Sequence, residues 1–178
     1  NHNICLWAIS GRPQPVKELT GHSGPITSLA AVPPHAVQLV SGSQDGTVRI
    51  WDAATGTTVA TLRGHPFPVY SVDWSADGAR LVTYASDATA EVAVWDAATS
   101  TLLKRWPVMA GESNVSWNPL SNRVATIDGV YDAESGELLW NHGGWRAYWN
   151  PDGTRLAVHS KERLRVLTVD GKVLAELE

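Results

Sequence analysis

The strongest constraint on how this chain folds is a segment that occurs twice. The two copies span residues 21–52 and 64–96, and each begins with Gly-His and ends with Trp-Asp. Trp7, Trp51 and Trp95 are equivalent positions, because both 51 − 7 and 95 − 51 equal 44. A repeat of this length indicates one supersecondary unit, which buries its apolar surface only by stacking against neighbouring copies.

Each copy contains short strands separated by turns. In the second copy, residues 69–74 alternate and are rich in β-branched and aromatic side chains, and Asp77-Gly78 marks a tight turn. Further strands follow at residues 79–84, 91–95 and 101–106, each bounded by turn residues. No segment shows sustained helical periodicity. The sequence therefore predicts an all-β chain with four strands in each unit.

Two shorter units follow the copies. Tyr131 and Leu167 take the position of the Trp that closes a copy, at spacings of 36 residues (131 − 95 and 167 − 131). Both units keep the turn after their first strand, at residues 117–119 and 149–153, but the hairpin at 128–129 is cut to Asp-Gly. The prediction is a single domain with a half unit at 1–20 and full units at about 21–63, 64–106, 107–141 and 142–178.

The repeated polar residues predict a buried hydrogen-bond network in each copy. A buried His needs partners for both ring nitrogens, and the indole N–H of a buried Trp needs an acceptor. A hydroxyl on the second strand and an Asp in the following turn can supply them. The two predicted sets are His22, Ser41, Asp45 and Trp51 in the first copy, and His65, Thr83, Asp87 and Trp95 in the second.

These units resemble WD40 repeats, since GHSGPITSLAAV…LVSGSQDGTVRIWDAATG is close to a consensus blade. The resemblance is strong for residues 1–106, and the later blades diverge. It implies a β-propeller of four-stranded antiparallel blades, of which about four and a half are present, and a His–Ser/Thr–Asp–Trp network within a blade. The half unit at the start predicts an incomplete ring, cut from a longer chain or completed by another copy.

Composition excludes several classes of site. Cys5 is the only cysteine, so neither an intrachain disulfide nor a Cys-based metal cage can form. The six histidines lie far apart, which leaves a metal site open only through folding, for example with His35 and a turn Asp. No phosphate-binding glycine motif, apolar membrane span or basic excess is present, and the net charge is −4. We expect no cofactor, no membrane contact, no nucleic-acid partner and a cytoplasmic location.

The predicted networks also permit a catalytic interpretation, because a hydroxyl, a His and an Asp together make a triad. The set occurs twice at equivalent positions and lies between strands, as a structural device would. A nucleophile elbow of the G-x-S-x-G type is absent. We therefore expect no catalytic residues and no enzymatic activity, with a propeller-type hydrolase or its accessory domain as a third hypothesis.

The resemblance implies a rigid scaffold that binds a protein or peptide through one face of loops, and self-association through missing blades stays open. The alternative is a sensory or regulatory propeller of a larger signalling NTPase or kinase. The candidate contact residues are Ser23, Pro25, Gln44, Phe67, Pro68, Ser86 and Trp145.

Aromatic residues leave two interpretations open at this face. Phe67 is the only Phe and lies between two prolines, so it binds a partner or packs on the neighbouring loop. The group Trp140, Trp145, Tyr148 and Trp149 forms core or a binding patch, since Trp and Tyr dominate interface hot spots. Trp145 is the member most expected at the surface, because it follows Gly143-Gly144.

Overall fold

The computed structural model describes residues 2–8, 14–32, 38–111 and 114–177, so His35 lies outside the described residues. Its strands are β1 (Ile4–Ala8), β2 (Gln14–Leu19), β3 (Ile26–Ala31), β4 (Gln38–Ser43), β5 (Val48–Asp52), β6 (Thr58–Leu62), β7 (Val69–Trp74), β8 (Arg80–Ser86), β9 (Ala90–Asp96), β10 (Leu102–Val108), β11 (Ser116–Trp117), β12 (Arg123–Ala125), β13 (Val130–Asp132), β14 (Leu138–Trp140), β15 (Arg146–Trp149), β16 (Arg155–His159), β17 (Leu164–Thr168) and β18 (Val173–Leu177).

The strands form four antiparallel sheets of four strands and one antiparallel pair. We name the sheets blade 1 (β3–β6), blade 2 (β7–β10), blade 3 (β11–β14) and blade 4 (β15–β18), and β1 pairs with β2 ahead of them. Within each blade, consecutive strands are neighbours. This confirms the predicted fold class, an all-β propeller of four-stranded blades. The expectation of an incomplete ring stays a prediction.

The core lies between successive blades and consists of apolar side chains from both. Val40 and Ile50 of blade 1 pack with Val69, Leu81 and Trp95 of blade 2 in one buried cluster. Equivalent clusters join blade 2 to blade 3 and blade 3 to blade 4. Burial of these facing surfaces is the main force that holds the blades together.

Hydrogen bonds between the innermost segments add a polar connection across each of these boundaries. Side chains of the earlier blade accept from backbone N–H groups of the later blade, and Thr27 Oγ1 and Asn114 Nδ2 also donate to the carbonyls of Val69 and Ala147. The accepting pairs are Ser28 Oγ with Val72 at 3.2 Å, Ser71 Oγ with Val115 at 3.0 Å, Asp73 Oδ2 with Trp117 at 2.8 Å, Asn114 Oδ1 with Ala147 at 3.1 Å and Ser116 Oγ with Trp149 at 3.2 Å.

Blade 3 is smaller than its neighbours because its central hairpin is short. The N–H of Thr126 donates to the carbonyl of Gly129 at 2.9 Å, so β12 and β13 are three residues long. The corresponding strands of blade 2, β8 and β9, have seven residues each. Blade 3 therefore ends below its neighbours at this edge of the array. No described segment forms a helix of the length and apolarity that a membrane crossing requires.

Candidate functional site

One end of the blades is formed by the loops that precede each first strand and by the hairpins between second and third strands. The N–H of Gln44 donates to the carbonyl of Pro25 at 2.9 Å, and that of Ser86 donates to Pro68 at 3.1 Å, so loop and hairpin are joined in both copies. We call this surface the loop face. It comprises residues 21–25, 44–47, 64–68, 86–89, 109–111, 127–129, 141–145 and 160–163.

In blade 1 a buried chain of hydrogen bonds fixes the loop face to the sheet. The indole Nε1 of Trp51 donates to Ser41 Oγ at 2.8 Å, and Ser41 Oγ lies 2.7 Å from His22 Nε2. His22 Nδ1 lies 2.9 Å from Asp45 Oδ2, which also accepts from the N–H of Ser23 at 2.9 Å. The structure thus brings all four predicted residues of this set into contact.

These contacts are satisfied by a neutral histidine. Nδ1–H of His22 donates to Asp45, and Nε2 accepts the hydroxyl proton of Ser41. Burial lowers the pKa of His22 and outweighs the opposite effect of Asp45. Burial alone would raise the pKa of Asp45, but hydrogen bonds from Thr47, His22 and Ser23 hold it below its usual value. The network therefore pairs an ionised Asp45 with a neutral His22.

Blade 2 contains the same chain with a different acid, so the prediction of Asp87 was wrong. His65 Nδ1 lies 2.6 Å from Glu91 Oε1, and its Nε2 lies 2.7 Å from Thr83 Oγ1, which accepts from Trp95 Nε1 at 2.9 Å. The physical reason is hairpin length: Asp87 precedes Trp95 by eight residues (95 − 87), whereas Asp45 precedes Trp51 by six (51 − 45).

The longer hairpin carries Asp87 to the exposed tip, where its backbone N–H donates to the carbonyl of Thr89 at 2.9 Å. Glu91 stands on β9, and its longer side chain reaches His65 from there. The second carboxylate oxygen of Glu91 lies 3.5 Å from Nε of Arg105. Arg105 also donates through Nη2 to the carbonyl of Gly64 at 2.8 Å. A carboxylate on an otherwise buried strand was the sequence signal for this role.

The hydroxyls of both networks are inaccessible. Ser41 and Thr83 are each 0% exposed, and each already accepts from a tryptophan. A nucleophile must touch its substrate, so this geometry favours a structural role for the two sets over a triad. Among the described residues, no three His, Cys, Asp or Glu side chains are placed to hold a metal ion together.

The candidate contact residues divide into exposed and covered positions. Ser23, Pro25 and Gln44 are exposed, and Pro68 is half-buried. Ser86 is only 6% exposed, because its position ends a buried strand, so the prediction that it lies at the surface was wrong. Phe67 is half-buried and packs on the cluster between blades 1 and 2. Phe67 therefore contributes to packing, the second of the two interpretations.

The aromatic group at the end of the chain also divides. Trp149 is buried in the cluster between blades 3 and 4, and Trp140 packs against that cluster. Trp145 and Tyr148 are both half-exposed. Of these four, Trp145 lies on the loop face, and the structure places it beside a cleft.

This cleft has a volume of about 480 Å³ and lies between blades 3 and 4 on the loop face. Its apolar lining comes from Met109, which is 64% exposed, from Ile127 and from Trp145, which is 51% exposed. Asp128 and Asn141 add polar atoms. The short hairpin of blade 3 opens the space that a longer hairpin would occupy. The cleft was not predicted from the sequence, although the two-residue hairpin was its signal.

Hydrogen bonds hold the blade 4 wall of the cleft. Nε2–H of His142 donates to the carbonyl of Thr126 at 2.8 Å, and its Nδ1 accepts from Gly144 N–H at 3.2 Å. Burial lowers the pKa of His142 and favours this neutral form. Arg165 donates to the carbonyl of Gly143 at 3.1 Å. A Cβ at Gly144 would collide with Val158, so the wall requires glycine there.

Comparison with known proteins gives the same family. The WD domain, G-beta repeat, matches residues 13–52 and 56–96. The chain is 42% identical over 88 residues to Coronin-7 of Rattus norvegicus, which covers 49% of the chain and 9% of that protein. It is 34% identical over 139 residues to a coronin-like protein of Saccharomyces cerevisiae, covering 70% of the chain and 21% of that protein.

A third relative is a ribosome biogenesis protein, the WDR12 homolog of Ixodes scapularis. It is 31% identical over 156 residues, covering 81% of the chain and 34% of that protein. The matched part of the chain thus spans about a fifth or less of the length of the two coronin relatives and about a third of the length of the WDR12 homolog. With four-stranded blades, two His–hydroxyl–acid–Trp networks and these matches, the chain belongs to the WD40-repeat family, as its two copies predicted.

Proposed function

We propose that this chain is a non-catalytic WD40 scaffold that binds a protein or peptide partner through its loop face. The relatives named coronin and ribosome biogenesis protein support a scaffold over a sensory propeller of a signalling NTPase or kinase. The buried hydroxyls of the two networks support the absence of catalysis. A cytoplasmic location is part of the same proposal, and an exposed thiol such as that of Cys5 stays reduced there.

One observation carries the proposal. Trp145 and Met109 are largely exposed, although each is a large apolar side chain, and they meet at a cleft on the loop face. Exposed Trp at a concave surface is the kind of group that dominates binding energy at protein interfaces. Ser23, Pro25 and Gln44 extend the same face across blade 1 as candidate contacts.

The rigidity of the loops supports the same function. Asp45 accepts from the N–H groups of both Ser23 and Thr47, so one carboxylate holds a loop and a hairpin of the loop face together. A surface that is already ordered loses little conformational entropy when it binds. The networks of blades 1 and 2 therefore support binding because they hold the loops in place.

A peptide library displayed on phage and selected on the chain tests the proposal. Selected peptides are synthesised and their dissociation constants measured by fluorescence anisotropy against the parent chain and three variants. We expect Gln44→Arg or Trp145→Ala to weaken each peptide about tenfold or more. Glu134→Arg is the matched control, because Glu134 lies exposed in the turn between β13 and β14 at the opposite end of blade 3. Peptides that respond only to Glu134→Arg would contradict the proposal.

A further inference from the structure

We propose that the cleft between blades 3 and 4 binds an extended peptide through the side chain of a Leu, Ile or Met, with a neighbouring Lys or Arg paired to Asp128. This inference rests on the proposed function and names the class of partner segment. Its site depends on the shortened hairpin of blade 3.

The apolar part of the ligand follows from the lining. The cleft is lined by side chains from three different segments. Met109 lies in the loop after β10, Ile127 in the hairpin of blade 3 and Trp145 in the loop before β15. Its volume of about 480 Å³ exceeds that of a single aliphatic side chain and lies in the usual range of small-ligand sites. Covering Met109 and Trp145 removes apolar surface from water, which stabilises the complex.

The basic neighbour follows from Asp128. One oxygen of Asp128 accepts from Thr126 Oγ1 at 2.8 Å, the other accepts from the N–H of Met109 at 3.3 Å, and the hydroxyl of Tyr131 also donates to this carboxylate. Among the residues that the structure describes, no Lys, Arg or His forms an ion pair with it. A carboxylate that has hydrogen-bond donors but no cationic partner attracts a cation, and the chain as a whole is negative, with a net charge of −4.

The preference for a peptide follows from the polar groups of the cleft. Asn141 Oδ1 accepts from the N–H of Gly143 at 2.7 Å, while its Nδ2 donates to none of the described residues. The cleft therefore combines a free amide donor at Asn141 with the acceptor at Asp128 around an apolar centre. A main chain supplies the complementary carbonyl next to an inserted side chain, whereas a simple apolar compound leaves the amide unpaired.

Met109 makes a direct test possible, because it is the only methionine of the sequence. Carbon-13 labelling of the Met methyl gives one resonance of this chain at the cleft. We would titrate the labelled chain with N-acetyl-Gly-Lys-Leu-Gly-amide and follow that resonance. Two matched peptides replace Lys by Glu or Leu by Ser, and isoamyl alcohol supplies the branched apolar group alone.

We expect the Lys-Leu peptide to shift the Met109 resonance in a saturable manner. The Glu-Leu peptide should bind about twofold to fivefold more weakly, as a partly exposed ion pair allows. The Lys-Ser peptide should bind about tenfold more weakly or not at all, because the apolar contact is lost. Trp145→Ala should abolish the shift, and Asp128→Asn should remove the difference between Lys and Glu, with Glu134→Ala, at the opposite end of blade 3, as the control. Thermal unfolding verifies that every variant is folded.

Three results would overturn the inference. The first is no shift with any peptide, the second an equal response to Lys-Leu and Glu-Leu, and the third an equal response to isoamyl alcohol, which indicates a small-molecule site. Failure here is distinct from failure of the proposed function. Phage-selected peptides that lose affinity with Gln44→Arg but leave Met109 unshifted would retain the scaffold and exclude the cleft.

Discussion

The carboxylate of Asp73 accepts a hydrogen bond at 2.8 Å from the backbone N–H of Trp117, which lies 44 residues further on (117 − 73) and ends the first strand of the next blade. Its other oxygen accepts from the N–H of Trp74 at 2.9 Å. Burial raises the pKa of Asp73, and the two N–H groups oppose that shift. One side chain therefore supplies the acceptors for backbone groups of two blades.

Asp73→Ala should lower the free energy of unfolding by about 2 kcal/mol or more, because two buried N–H groups lose their acceptor. Asp73→Asn keeps one acceptor oxygen, so it should cost less than the alanine variant. Urea denaturation at neutral pH measures both. Glu134→Ala, an exposed acidic residue, is the control and should change stability by less than about 0.5 kcal/mol. Equal effects of Asp73→Ala and Glu134→Ala would refute the role of Asp73.

The two acids near the hairpin of blade 2 should behave differently. Glu91→Ala removes the partner of His65 Nδ1 and should lower the free energy of unfolding by about 1 to 3 kcal/mol. Asp87→Ala alters an exposed hairpin tip and should stay within about 0.5 kcal/mol of the parent. Chemical denaturation of the two variants side by side makes the comparison. A larger loss for Asp87→Ala would restore the assignment that the sequence suggested.

The chain should lose stability as the pH falls below neutral. Burial lowers the pKa of His22, His65 and His142 below the ordinary value of 6.5. The unfolded chain therefore binds protons at these residues first, and the free energy of unfolding decreases as the pH falls through 6.5 towards the lowered values.

Urea midpoints at about pH 7.5 and about pH 5.5 measure this dependence. His65→Gln should be less stable than the parent at the higher pH, but its urea midpoint should change less between the two pH values. His159→Gln alters an exposed position, so its urea midpoint should change with pH as much as that of the parent. The explanation fails if all three proteins have the same pH dependence.

Phe67 and Trp145 should separate stability from binding. Phe67→Ala removes a ring that packs on the cluster between blades 1 and 2 and should cost about 1 to 3 kcal/mol. Trp145→Ala removes a half-exposed ring and should cost less than about 1 kcal/mol, while it weakens loop-face ligands. Thermal unfolding and anisotropy on both variants test the pair. Loss of binding without loss of stability in Phe67→Ala would reverse the assignment.

The sequence predicted the fold because its periodic features depend on local chemistry. Gly-His, Trp-Asp and the Asp-Gly turns mark strand ends, and strand order within a blade follows chain order. The set around His22 was also predictable, because a hydroxyl, an Asp and a Trp follow Gly-His in both copies of the repeat. All contacts of this set lie within one repeat unit, so the repeat pattern alone indicates them.

Features that depend on side-chain reach or on two blades were not predictable. Two extra hairpin residues move Asp87 away from His65, and only the geometry of β9 shows that Glu91 reaches it. The cleft combines Met109, Ile127 and Trp145, whose sequence positions do not indicate that they meet. Ser86 was misplaced because β8 is longer than the turn residues Ser86-Asp87 suggested.

The hydrogen bonds between innermost segments join side chains of the earlier blade to the backbone of the later one, and this order has a consequence for synthesis. The side chains, from Thr27 to Ser116, belong to the earlier blade, and the N–H and carbonyl groups that they bind belong to the later one. A chain leaves the ribosome from its N-terminus, so each blade is available as a finished template before the next one emerges. The array can therefore assemble vectorially, with each new blade docking its backbone on side chains that are already in place.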